Sequence, residues 1–278
     1  MNLDIQQKKG NSMTISSPVS KRIKPILATA LFVGLSTVAH ANVLDDVLSR
    51  GSIRIAVIGG NPPYSTISPT GEPQGYDIDI GKKIAEALNV KPEFIVVDVP
   101  GRVTALQTKK ADITIADFTN NVQRATVIAF THSYVVAKQQ FVTKADNDTI
   151  KSIAEVNNAN IHVGITRGGT VEQNVPLAAP NAQIMRFNTV SDQLSALDSG
   201  QVEVMAQDNL YNAQLLKDHP GAYKIIPGDF SHEDIGIGLP AGEFDWLRVL
   251  DTFVDQFNAS GDNARLFKKW FGYDMPPL

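Results

Sequence analysis

The chain has no cysteine, no surplus of positive charge, no clustered histidines and, beyond its first forty residues, no long apolar run. Without cysteine there can be no disulfide framework, no thiolate-ligated metal and no lipid-anchor cysteine after an N-terminal apolar segment. Formal net charge is −4, from 25 basic and 29 acidic side chains. Such a balance argues against nucleic acid or an anionic membrane as partner. His132, His162, His219 and His232 are scattered, with no His-x-x-x-His spacing, so the sequence predicts no metal site and no cofactor. No Gly-x-Ser-x-Gly elbow occurs. The nearest approach to a phosphate loop, Gly75 to Gly81-Lys82, is one residue too long and has Lys83 where Ser or Thr is required.

The N-terminus is patterned as an export signal. Lys21, Arg22 and Lys24 precede an apolar run, Ile26 to Val38, that is short for a bilayer span, and Ala39-His40-Ala41 is a small-x-small cleavage site. The competing reading is an amphipathic or buried first helix. Residues before Met13 fit no signal pattern, which makes Met13 an alternative start. Removal of residues 1–41 predicts a periplasmic chain of 237 residues beginning at Asn42, with 20 basic against 28 acidic side chains and a net charge of −8. Without disulfides such a chain must be held by its core, and it is long enough to build one.

Short strand and helix patterns alternate along this chain, as in a parallel α/β sheet. Ser52–Ile58, Phe94–Val97 and Ile113–Ala116 read as strands, with helices over Gly81–Leu88 and around Val103–Leu106. A second set repeats the order: strands at Ile161–Ile165, Ile184–Phe187 and Val202–Ala206, with helices opening at Val171, Val190 and Leu210. Ile235–Leu239 is a further strand. Leu247, Leu250, Val254 and Phe257 recur at helical spacing, and Asn263–Trp270 forms a last helix.

The most informative stretch is ADITIADFTNNVQRATVIAFTHSY, Ala111 to Tyr134. A buried strand and a polar turn deliver Asp117, Thr119 and Arg124 to one place, with Arg124 opening a predicted helical run. A carboxylate suits an ammonium and the planar guanidinium fork suits a carboxylate, so this strand end can hold a zwitterion. Gly168-Gly169-Thr170 precedes another predicted helix, where backbone N–H groups favour an anion; the plainer reading is an ordinary helix cap.

These pieces resemble the periplasmic amino-acid-binding proteins of ABC importers, solute-binding family 3. The resemblance rests on Gly51–Ile55, Asn61-Pro62-Pro63-Tyr64, Gly75–Asp79, the 111–134 stretch, Gly164–Thr170, Gly200–Asp208 and Trp270-Phe271-Gly272, in order and at family spacing. It implies a type II periplasmic-binding-protein fold, two α/β lobes on a two-strand hinge, with residues 42–136 plus 233–278 in lobe 1 and 137–232 in lobe 2. It implies an amino acid in the interlobe cleft, an ABC permease as partner, a monomer, no membrane insertion and no enzymatic activity. By the same resemblance Arg124 takes the α-carboxylate, Asp117 and Thr119 serve the α-ammonium and carboxylate, and Gly169 and Thr170 close from the second lobe. Asp208 grips the α-ammonium, Tyr64 lies against the ligand side chain, and Glu203 stands at a structural position usually held by aspartate. Arg102 either reaches a distal carboxylate, implying a glutamate- or aspartate-like ligand, or pairs with Asp98, which itself favours a polar or cationic side chain. Two other classes share the fold: a periplasmic cyclohexadienyl or arogenate dehydratase, for which Glu172 is the available general acid, and a sensor using the same cleft.

Overall fold

The computed structural model describes residues 42–278; the segment read as an export signal lies outside them. Ser52–Ile58 (SIRIAVI) is apolar at all positions but Ser52 and Arg54, and all but one of its residues are buried. A strand covered on both faces belongs inside a parallel sheet. It pairs in parallel with Lys91–Val97 on one side and Ile113–Thr114 on the other. Glu233–Pro240 then joins Ile113–Thr114 antiparallel, and Ile128–Ala137 closes the sheet, also antiparallel. The second sheet has the same plan. Gln183–Phe187, His162–Thr166 and Val204–Asp208 run parallel, and Gln139–Lys144 and Tyr223–Ile226 complete it antiparallel.

The chain crosses between the sheets twice: at Lys138, between Ile128–Ala137 and Gln139–Lys144, and between Tyr223–Ile226 and Glu233–Pro240. Each sheet with its helices is a lobe with its own apolar core. Trp246, Ile53, Tyr76 and Phe267 are fully buried in the first, and Phe141, Val163, Ile165 and Val175 in the second. The helix Phe244–Ala259 buries Trp246, Leu250, Val254 and Phe257, which adds Trp246 to three of the four positions expected from its period; the fourth, Leu247, is partly buried against the same core.

Three local features differ from the sequence expectations. The helix expected from Gly81 starts at Tyr76 and runs to Ala87. Gly75 caps it at φ 139°, where a Cβ would lie 2.2 Å from the Tyr64 carbonyl oxygen. Asp77 and Asp79 therefore sit in a first helical turn, favourable for negative charge. The helical run expected from Arg124 is a single turn, Val122–Ala125, capped by Asn121. Thr126, Val127 and Ile128 are β-branched and carry the chain into the ten-residue strand Ile128–Ala137, which sequence reading did not anticipate. Glu203 binds the neighbouring strand: its Oε2 accepts from the His162 backbone N–H at 2.7 Å.

Candidate functional site

The site begins where the short strand Ile113–Thr114 ends. Asp117 has φ 46°, a left-handed conformation that only Gly, Asn and Asp adopt readily. Buried groups hold it there. Its N–H donates to Asp77 Oδ2 at 2.9 Å, and its carbonyl accepts from Arg102 Nη1 at 2.6 Å. Asp77 is itself fully buried, with Tyr134 Oη donating to its Oδ1 at 2.9 Å. Asn61 Nδ2 donates to Asp117 Oδ2 at 3.0 Å. We expect Asp77→Ala to destabilise the protein by about 1–3 kcal/mol, because it leaves the buried Asp117 N–H and Tyr134 hydroxyl without their acceptor. Urea unfolding checks this; unchanged stability would mean that Asp77 does not hold the turn.

The two arginines have different duties. A guanidinium has five N–H donors. Arg102 is buried and donates to Val99, Ala116, Asp117 and Gly168 carbonyl oxygens at 2.9, 3.0, 2.6 and 3.1 Å. Only one N–H is left. Asp98 does not pair with it; Asp98 Oδ1 instead accepts from the Gly101 N–H at 2.9 Å. Arg102 thus braces the Asp117 turn and touches the opposite lobe. The Arg124 guanidinium donates only to Thr119 O at 2.7 Å and Gly168 O at 2.8 Å, leaving three of its N–H groups without a protein acceptor among the described residues. Both guanidinium carbons lie over the Phe118 ring, at 4.6 and 4.8 Å from its centroid. Burial lowers both guanidinium pKa values, but each group remains a cation at neutral pH.

The second lobe meets these arginines through Gly168, at φ 72°, where a Cβ would lie 2.9 Å from Pro100 Cα. Thr170 Oγ1 donates to Glu233 Oε2 at 2.8 Å and accepts from Gln139 Nε2 at 2.7 Å. Asn174 Nδ2 donates to Glu233 Oε1 at 2.9 Å. Asp208 caps the helix Asn209–Asp218: its Oδ1 accepts from the Leu210 and Tyr211 N–H groups at 2.8 and 2.9 Å and from Tyr64 Oη at 3.2 Å. Asp208 Oδ2 is buried and has no partner among the described residues.

A cavity of about 50 Å³ lies between these elements. Arg102, Asp117, Thr119, Arg124, Gly169, Thr170 and Asp208, all singled out in the sequence, line it. Tyr64 does not. It is fully buried, packed edge-to-face on Phe271 with ring centroids 5.5 Å apart, and reaches the site only through its hydrogen bond to Asp208. Asn61, just before the Pro62-Pro63 turn, lines the cavity instead. Asn61, Gln139 and Glu233 line the cavity without having been singled out in the sequence. Asn61 beside the two prolines was the available signal; Glu233 reaches the site only by the chain's late return to the first sheet. Glu172 is absent from the lining. Its carboxylate accepts from the Gly168 N–H at 2.8 Å and pairs with Arg186 Nε at 3.0 Å.

Three carboxylates in and behind the cavity, Asp77, Asp117 and Asp208, are shifted in one direction. Burial, outweighing the Tyr134 hydrogen bond, pushes Asp77 up to about 7. Burial, against the pull of Arg102, pushes Asp117 up to about 6. Burial, with Asp117 nearby, raises Asp208 well above the usual carboxylate range. A cation placed between Asp117 and Asp208 would relieve that strain.

Residues 53–273 match the bacterial extracellular solute-binding proteins, family 3. The chain belongs to this family. The L-cystine-binding protein TcyJ of Escherichia coli K12 is 23% identical over 253 residues, covering 90% of this chain and 94% of the relative. Among solved structures, the ancestral amino acid-binding protein AncCDT-1, a precursor of cyclohexadienyl dehydratase, superposes with a TM-score of 0.77 at 30% identity, covering 83% of this chain and all of that one. An ancestral arginine-binding protein bound to arginine gives a TM-score of 0.75 at 32% identity, covering 80% of this chain and 99% of the other. The fold is that of the type II periplasmic binding proteins, two α/β lobes joined by two strands.

Proposed function

We propose that this family 3 protein captures a polar amino acid in the cleft between its lobes and delivers it to an ABC permease. The observation that carries the reading is the pairing, in one cavity, of an unpartnered carboxylate oxygen, Asp208 Oδ2, with an arginine holding three unused N–H groups, Arg124. Asp208 takes the α-ammonium and Arg124 takes the α-carboxylate as a fork. Thr119, Gly169 and Thr170 line the carboxylate end, and Asp117 adds negative charge near Asp208. Arg102 stays with its backbone carbonyls and braces the cleft.

The lobes comprise residues 42–136 with 233–278, and 137–232, and the ligand is released by rotation about the crossings near Lys138 and 227–232. The Gly168 carbonyl, which accepts from both arginines, is the contact that closure makes and opening breaks. The protein works as a periplasmic monomer after removal of residues 1–41. We read it as a binding protein and not an enzyme. In the dehydratase reading Glu172 would be the general acid, but its carboxylate is committed to Gly168 and Arg186 outside the cavity lining.

The test is a thermal-shift panel on protein unfolded and refolded to strip carried-over ligand. An amino acid at a hundred times its Kd stabilises by about 2.7 kcal/mol, a rise of roughly 5–10 °C for a chain of this size. A panel of the twenty amino acids, ornithine and cystine with no shift would overturn the reading.

A pH dependence follows. Asp117, ordinarily 3.8 and raised to about 6 in the folded protein, must be ionised to face an ammonium. Affinity should therefore rise with pH through about 6 and go on rising until Asp208, also raised by burial, is ionised, with proton release detectable by calorimetry in buffers of different ionisation enthalpy. The ligand-free protein should show the opposite trend in stability. Asp77 and Asp117 both have folded values above 3.8, so their contribution is full below about 4 and is lost as pH rises through about 6 to 7. Affinity that is flat between pH 5 and 8 would remove the carboxylates from the ligand's ammonium.

A further inference from the structure

Four buried side-chain atoms have no hydrogen-bond partner among the described residues: Asn61 Oδ1, Gln140 Oε1, Asp208 Oδ2 and Asn212 Oδ1. All are acceptors, and two, those of Asn61 and Asp208, belong to residues that line the cavity. A buried acceptor left without a donor costs about 1–3 kcal/mol, so each marks a place to which a donor must come from outside. The α-ammonium answers for Asp208 Oδ2. Asn61 Oδ1, beside Asp117, is left for a further donor, from the remaining N–H groups of the ammonium or from the ligand's side chain.

The amide orientation of Asn61 is dictated by its neighbour. Asp117 as a carboxylate is an acceptor only, so the Asn61 Nδ2 must face it, as it does at 3.0 Å, and Oδ1 is turned away without a donor. Asn61 is 1% exposed, so water from the surface does not reach the amide freely. Asp117 Oδ2 receives this one bond, and no protein donor reaches the other carboxylate oxygen among the described residues. Charge points the same way. The cavity lining carries three carboxylates, Asp117, Asp208 and Glu233, against two guanidinium groups, Arg102 and Arg124. A zwitterion adds one charge of each sign and leaves one negative charge in excess. Glu233 accepts at both oxygens, from Thr170 and Asn174, and Asp208 has the α-ammonium, so Asp117, with one carboxylate oxygen free of protein donors among the described residues, is the carboxylate of the three most open to a further cation. Against a distal carboxylate on the ligand stands the lack of donors, because Arg102 has one N–H left after its four carbonyl bonds.

We propose that Asn61 and Asp117 form a second, donor-seeking seat beside the ammonium seat, so that the bound amino acid has a side chain ending in N–H donors, a cationic amine first and an amide second, in preference to a carboxylate. This rests on the amino-acid reading given above and adds the side-chain class to it. Asn61 Oδ1 accepts one N–H and Asp117 supplies the countercharge; an amide ligand satisfies the first and not the second.

The test is calorimetry on refolded protein with two length-matched series: ornithine, glutamine, glutamate and norleucine, and 2,4-diaminobutyrate, asparagine, aspartate and norvaline. In the series that fits the cleft, the cationic member should bind at least tenfold tighter than the acidic one, with the amide between them. Asp117→Asn, which keeps a residue tolerant of the left-handed backbone, should weaken the cationic ligand at least tenfold while changing the amide ligand less. Asn61→Leu should weaken both. Tightest binding by glutamate or aspartate, or equal affinity across a series, would overturn the second seat while leaving amino-acid capture in place. Equal loss of cationic and amide ligands in Asp117→Asn would also overturn it. Absence of binding by every member and by every other amino acid would instead overturn the functional reading itself.

Discussion

Arg124→Ala should lower amino-acid affinity by a factor of about 30 to several thousand while leaving the protein folded. Loss of one partner of a buried, hydrogen-bonded charge pair costs about 2–5 kcal/mol, and each 1.4 kcal/mol is tenfold. The effect should be large here because no second cation can substitute. Arg102 is tied to four backbone carbonyls and has a single N–H to offer. Stability should change far less. Arg124 gives the fold only two bonds, to Thr119 O and Gly168 O, and the second of these forms between the lobes. Calorimetry with circular dichroism as the folding control separates the two effects. Affinity within threefold of the unsubstituted protein would mean that the α-carboxylate is held elsewhere.

Asp208→Asn is expected to reduce affinity to a similar degree and to leave stability unchanged or slightly raised. The substitution isolates charge from structure. Asparagine caps helices as well as aspartate does, so its Oδ1 can keep the Leu210 and Tyr211 N–H groups and the Tyr64 hydroxyl. What changes is the other arm, where an NH2 group replaces the unpartnered Oδ2 and presents donors to the ammonium's donors. The empty protein meanwhile loses a buried carboxylate whose ionised form is disfavoured by burial and by Asp117. Wild-type affinity in Asp208→Asn would move the ammonium seat away from this residue. A large stability loss would mean that the charge, and not the ammonium, is what the position needs.

The site was legible in the sequence to the extent that it is local. Asp117, Thr119 and Arg124 lie within eight residues of one another on a strand end and turn, and a strand followed by a carboxylate at a helix start marks Asp208. Their convergence is tertiary, yet each element could be recognised alone. Glu233 could not. It stands at the first position of a strand that returns to the first sheet after the whole second sheet has been built, and no short pattern records that return. Arg102 and Tyr64 show a different limit. Residue type suggested a ligand contact for each, but the arginine's donors are taken by carbonyls and the tyrosine lies one layer behind Asp208. The strand Ile128–Ala137 was missed because the arginine before it suggested a helix, while the β-branched residues after it, and pairing with Glu233–Pro240, decided otherwise.

In the proposed complex one zwitterion is gripped at both ends, by Arg124 and by Asp208. The most direct measurement compares, on refolded protein, the best-bound amino acid with its N-acetyl and its carboxamide derivatives by titration calorimetry. Each derivative keeps the side chain and removes one charged end. Each modification alone should weaken binding by at least a hundredfold. Retention of affinity by either derivative would contradict a grip at both ends.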